Sequence, residues 1–190
     1  MSQATTLSAD DLIKVLDYIS TRIHAPRNRA MILLTHYAGL RVGEVACLRW
    51  KDVLTAENEV KDEIRLLPDM TKGRHARTVY VNGKLREELK KYVDSSIIRD
   101  RDHPVFYSQK GLRTGFTANS LSQTFARIYK GAGIDGASSH SGRRTFLTNL
   151  ANKNTPIHLL KVLAGHKSIT TTATYLYASP IDLRAAVEKY

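Results

Sequence analysis

Apolar residues recur at helical spacing along the first forty residues. Leu12, Val15, Leu16 and Ile19 share one face, and Ser8 followed by Asp11 three residues later is a helix-start signal. Pro26 then opens "RNRAMILLTHYAG", apolar through its centre and closed by Gly39, which predicts a buried helix. "RVGEVACLRW" predicts a third, short helix directly after it. The period then drops to two. "VKDEIRLLP" and "ARTVYVNG" read as strands, and the polar, Gly73-containing "DMTKGRH" reads as their turn.

Beyond Gly83 the helical period returns in "KLREELKKYVDSS", and "PVFYS" after Pro104 predicts one more short strand. Further helices are predicted from Ala118 to Gly131, Ser139 to Asn152, Pro156 to Ala164, Ser168 to Tyr177 and Pro180 to Tyr190. The expected fold class is therefore mainly α with a small antiparallel β-sheet, an α+β chain forming one domain over residues 1–190, with no internal repeat and no linker.

One stretch fits this pattern poorly. "GHKSITTTATYLY" places four threonines within five residues, each less favourable in a helix than alanine by up to about 0.7 kcal/mol. It carries no hairpin turn signal either. A weakly held segment here ends in Tyr175 and Tyr177, nine and eleven residues after His166.

Charge adds to this picture. Lysine and arginine outnumber aspartate and glutamate by 29 to 18, a formal net charge of +11. Between Lys110 and Lys153 stand seven basic residues and one acid, Asp135, so acids are missing from one continuous stretch. A basic excess of this kind points to a polyanion, since each neutralised phosphate releases condensed counterions. The chain has no apolar run near the roughly 20 residues that span a bilayer, and its start does not resemble a signal peptide. We expect a cytoplasmic, nucleoid-associated protein with no membrane partner. A single cysteine, Cys47, excludes an internal disulfide and a cysteine zinc cage, and is expected as a small core residue. His24, His36, His75, His103 and His158 are scattered, and His140 and His166 lack paired carboxylates at ligand spacing, so neither a metal nor another cofactor is expected.

Several residues are able to act on a phosphate. His140 and Arg143 are three apart, so on a helix they share a face. Arg41 follows the buried helix that stops at Gly39, and Glu44 one turn later can fix a guanidinium. Two arginines meeting on one phosphate offer planar forks that lysine does not reproduce. Lys72, in the turn "TKGRH", can donate a proton to a departing oxygen, and Arg74 and Arg77 nearby suit phosphate contact. A tyrosine hydroxyl attacking a phosphodiester stores the bond energy in a covalent intermediate, so a broken strand is rejoined without ATP.

The order and spacing of "AGLRVGEV", "TKGRHARTVYV", "HSGRRTF" and "LAGHKSITTTATY" together resemble the tyrosine recombinase or phage-type integrase family, from about residue 38 to 177. The resemblance implies the catalytic-domain fold of that family and a site-specific recombinase or integrase. It assigns Arg41 and Arg143 to phosphate binding, Glu44 to support of Arg41, and Lys72 to protonation of the leaving 5′ oxygen. His140 falls to proton transfer, His166 to a hydrogen bond with the scissile phosphate, and Tyr175 to nucleophilic attack; Arg144 and Lys167 are further candidates for DNA contact. Double-stranded DNA is the implied partner, with a monomer in solution, a tetramer on DNA and an accessory directionality protein. Gly142 and Ala164 stand where leucine is common in the family, and Arg144 where histidine is frequent. Members generally carry a helical DNA-clamping domain before the catalytic one. Only 40 residues precede Arg41 here, so that domain is expected to be absent, whether the chain is naturally compact or an excised fragment. The rival readings are a catalytically inactive DNA-binding regulator of the same fold and a tyrosine-type topoisomerase.

Overall fold

The computed structural model describes residues 4–71, 73–108, 114–176 and 187–188. Helix α1 (Ala9–Ser20) begins where the sequence signals it: Ser8 Oγ accepts from the Asp11 amide and the Asp11 carboxylate accepts from that of Ser8, each at 3.0 Å. Helix α2 (Ala25–Ala38) is the central element. Met31, Ile32, Leu33 and Leu34 are consecutive and almost completely buried, because α1, α3 (Val42–Cys47), α5 (Gly83–Asp94) and α7 (Ser141–Asn152) surround the helix. A helix apolar on all sides needs such a position.

The expected third helix is two. α3 ends at Cys47 and α4 (Trp50–Val53) restarts after Leu48 and Arg49, both with extended backbone. The break accommodates the segment predicted as a strand at Pro104–Ser108. There the Val105 amide donates to the Leu48 carbonyl (2.9 Å) and the Trp50 amide to that of His103 (3.2 Å). The extended stretch at Leu48–Arg49 is too short for a ladder, so an isolated Arg49–Pro104 bridge replaces the expected strand. Its side chains still anchor the core: Trp50, Tyr92 and Phe106 stack at centroid separations of 5.7 and 5.5 Å. Cys47 is exposed rather than in the core. Val42, Val45 and Ala46 cover the inner face of α3 and leave position 47 outside.

Strands β1 (Glu63–Leu66) and β2 (Arg77–Tyr80) form the two-stranded antiparallel sheet. Ile64 pairs with Val79 and Leu66 with Arg77, so Arg77 lies on the same, inward face as three buried apolar residues. Helices α6 (Ala118–Gly131) and α8 (Ile157–Ala164) complete the scaffold, and α9 (Ile169–Ala173) is shorter than expected. At its end Thr174 Oγ1 donates to the Thr171 carbonyl, and the Tyr175 and Leu176 amides bond three residues back, which tightens and closes the helix. The expected helix from Pro180 to Tyr190 lies outside the described residues apart from 187–188.

Close approach of α2 and α7 explains Gly142. A Cβ there would lie 2.3 Å from Thr35 Oγ1, so leucine does not fit opposite this threonine. Among the described residues, no helix is long and apolar enough to cross a membrane.

Candidate active site

Two glycine-capped helix ends build the site. Gly39, after α2, and Gly165, after α8, have φ of +64° and +59°. Both are also tightly approached: an added Cβ would lie 2.4 Å from the Phe146 ring at Gly39 and 2.5 Å from Arg77 Cδ at Gly165. The two ends aim their carbonyls at one side chain. Arg143, 5% exposed, donates from Nη1 to the Gly39 carbonyl (2.6 Å) and from Nη2 to the Ala164 carbonyl (2.5 Å). Helix C-termini carry partial negative charge, so they receive a buried guanidinium without a carboxylate. Burial first, and then repulsion from Arg41 and Arg77, pushes Arg143 down to about 9, which leaves it charged at neutral pH.

Arg41 and Arg77 are held differently. Glu44, 1% exposed, accepts from Arg41 Nη1 (3.0 Å), from the Arg41 amide (2.7 Å) and from Arg77 Nη2 (2.7 Å). Burial alone would raise this carboxyl, but the Arg77 hydrogen bond and charge, reinforced by Arg41, hold it below the ordinary range. Arg77 also donates to the Leu163 carbonyl (2.7 Å), and its side chain is 7% exposed. The structure places Arg77, which the sequence suggested for a phosphate contact, largely beneath the surface at the cleft wall as a partner of Glu44. Arg41 keeps about a quarter of its side chain exposed and reaches the Gly165 carbonyl.

His166 joins the two arginine sites. Its Nε2 is 3.2 Å from Arg143 Nη2, its Nδ1 is 3.0 Å from Thr172 Oγ1, and the Tyr175 ring stacks on it at 6.0 Å. Burial and the three arginines push the imidazole down to about 4, so it is neutral at pH 7. A cleft of about 930 Å³ runs between the sheet and α8–α9, with Arg41, Arg77, His166 and Lys167 in its lining. A second, of about 260 Å³, is lined by Ala4, His140, Arg143, Arg144, Thr174 and Tyr175.

The structure thus brings Arg41, Glu44, Arg143, His166 and Tyr175 together from four separate parts of the chain. His140 lies beside them, exposed at the N-cap of α7 rather than on the inward face of Arg143. Arg144 lines the cleft beside Tyr175, and Lys167 reaches toward Gly73 in the β1–β2 connection. Arg74 is exposed in that connection with left-handed backbone. Lys72 and Tyr177 lie outside the described residues. Sequence reasoning missed Thr172, fully buried on the His166 ring, whose signal was its place one helical turn before Tyr175. Among the described residues, no group of three or more histidine, cysteine, aspartate or glutamate side chains is arranged to hold a metal.

Known proteins are similar to this chain in sequence and in fold. The chain is 27% identical over 195 residues to transposase A from transposon Tn554 of Staphylococcus aureus, covering 99% of this chain and 53% of that protein. It is 26% identical to tyrosine recombinase XerD of Rickettsia bellii, covering 95% of this chain and 62% of the relative. The chain thus spans between half and two thirds of the length of these relatives. Its fold matches that of the Tn1549 transposon integrase solved with a circular intermediate DNA, with a TM-score of 0.81 and 23% identity, over all of this chain and 67% of the other. The phage integrase family model matches residues 5–180. A chain matched over nearly its whole length, with the two arginines, His166 and Tyr175 gathered at one place, belongs to the phage integrase family.

Proposed function

We propose that this chain is the catalytic part of a site-specific DNA recombinase, acting on duplex DNA in the cytoplasm, on the nucleoid. The observation that carries the reading is the convergence of Arg41, Arg143, His166 and Tyr175: His166 touches both Arg143 and Tyr175, and Arg41 reaches the Gly165 carbonyl next to it. In this reading the Tyr175 phenolic oxygen attacks the phosphorus and the 5′ oxygen leaves, so a 3′-phosphotyrosyl bond replaces the phosphodiester. Lys72 supplies the proton to that oxygen, and His140 takes part in transfer of the phenolic proton. The freed 5′ hydroxyl of a partner strand then attacks the phosphotyrosyl bond, which restores the phosphodiester and the phenol. Bond energy is conserved throughout, so no ATP is consumed.

Charge supports this assignment. Attack converts a singly charged phosphodiester into a doubly charged pentacoordinate species. Three guanidinium groups around one carboxylate, with His166 neutral, leave two positive charges in excess. Donors fixed before the reaction are each worth about 2.7–4 kcal/mol to such a transition state. Strand exchange needs two duplexes and hence a tetramer on DNA, assembled from monomers, with an accessory protein setting direction.

Nicked duplexes of pooled random sequence, incubated with the protein in EDTA, test the reading. We expect an SDS-resistant, protease-sensitive adduct that disappears in Tyr175→Phe and persists in Tyr177→Phe. DNA binding without an adduct on any duplex contradicts strand cleavage and supports the inactive regulator. Relaxation of supercoiled plasmid by the monomer supports a topoisomerase instead.

A further inference from the structure

The two ring nitrogens of His166 face different partners, and this fixes where the ring carries its proton. Nε2 lies 3.2 Å from Nη2 of Arg143, and a guanidinium only donates, so Nε2 accepts. The neutral imidazole then carries its hydrogen on Nδ1 and donates it to Thr172 Oγ1 at 3.0 Å. A phosphate oxygen also offers only lone pairs. The free site therefore holds His166 in the form unable to hydrogen-bond a phosphate.

We propose that Thr172 is a positioning residue that allows His166 to turn from acceptor to donor at Nε2 when a phosphate enters between it and Arg143. A hydroxyl accepts and donates at the same atom. In the free site Thr172 Oγ1 accepts from Nδ1–H; with phosphate bound, Nε2–H donates to a phosphoryl oxygen and the Thr172 hydroxyl donates to the bare Nδ1. The exchange takes place while the His166 ring, half-buried on the cleft, is turned away from Thr172: Nδ1 gives its proton to water in the cleft, Nε2 takes one from it, and the ring, neutral again, re-seats on the Thr172 hydroxyl. Thr172 is 0% exposed, which keeps water from taking over its role. Valine has the same shape and can do neither. Thr172 also lies one turn before Tyr175, whose amide donates to the Thr172 carbonyl at 3.0 Å, so the residue that sets the histidine also ties down the segment carrying the nucleophile.

This inference rests on the strand-cleavage reading for its phosphate, and two measurements separate the two. The first is imidazole nitrogen NMR on the Tyr175→Phe protein, free and then saturated with a short nicked duplex of pooled random sequence. We expect the His166 proton on Nδ1 in the free protein and on Nε2 with DNA; a proton that stays on Nδ1 under saturation overturns the proposal, whether or not the native protein cleaves. The second measurement is adduct yield on the same duplexes. Thr172→Val should lower it about 10- to 100-fold, the loss expected when a buried ring nitrogen is left without its hydrogen-bond partner, and Thr172→Ser should recover most of it. Native yield in a folded Thr172→Val protein overturns the proposal. No adduct in the native protein, with the NMR shift present, counts against strand cleavage and leaves the role of Thr172 standing.

Discussion

Two parts of the site hold arginine in opposite ways. Around Glu44, a fully buried carboxylate neutralises one of two guanidinium groups that meet on it, and of these the Arg77 side chain is buried while Arg41 keeps about a quarter of its own exposed in the cleft. Around Arg143, two helix ends offer carbonyls and no anion, so the buried positive charge is only partly compensated. The first arrangement ties Arg41 to the fold through a buried carboxylate. The second leaves a buried charge without an anion, and in the proposed reaction it is the part of the site that should matter more to chemistry than to folding.

Removing the carboxylate should have the largest effect. Glu44→Gln leaves Arg41 and Arg77 without their anion, and breaking a buried ion pair in this way costs about 3–5 kcal/mol, to be read from urea unfolding. Arg143→Met, by contrast, removes the charge and leaves two carbonyls short of a donor, for a loss of about 1–3 kcal/mol. Equal losses in the two variants would erase the distinction. On the cleavage side the order reverses. Arg143→Lys should lose no more stability than Arg143→Met yet lose about 10²- to 10³-fold in adduct formation rate, because an ammonium does not span the two carbonyls, the imidazole and a phosphate.

Smaller effects test the frame that sets these groups in place. Gly142→Leu should cost about 1–3 kcal/mol through overpacking against Thr35, and Thr35→Ala in the same chain should recover part of it. Lower pH should also weaken the fold. His36, pushed down to about 4 by burial, and His166, with the same depression, are neutral when folded, whereas an unfolded histidine titrates near 6.5. Their contribution is complete above about pH 6.5 and is lost as pH falls toward 4, since the unfolded chain then binds more protons. Thermal melts between pH 7 and 4.5 should show this fall, and His36→Phe should flatten it.

Much of this comparison could be read from the sequence, though unevenly. Ser8, Pro26, Gly39 and the helical periods marked the helices because caps and apolar faces are local properties. The break between α3 and α4 was not legible, since it is made by Pro104–Ser108 docking from fifty residues away. The seat of Arg77 was hidden for a different reason. Its alternation with Val79 already placed it on the inward face of β2, but a buried arginine is unexpected until the carboxylate that receives it, Glu44, is in view. The carbonyls that hold Arg143 belong to backbone, and no residue type announces them. Thr172 was hidden among four threonines within five residues, of which it alone turns inward.

The central claim is that residues 41, 143, 166 and 175 act on one phosphorus atom. Mass spectrometry of the trapped, nuclease-trimmed adduct tests it most directly. The account predicts a nucleotide remnant on the peptide carrying Tyr175, with its yield collapsing in Arg41→Ala and Arg143→Ala. A remnant on Tyr177 or another residue, or undiminished yield in both arginine variants, would contradict it.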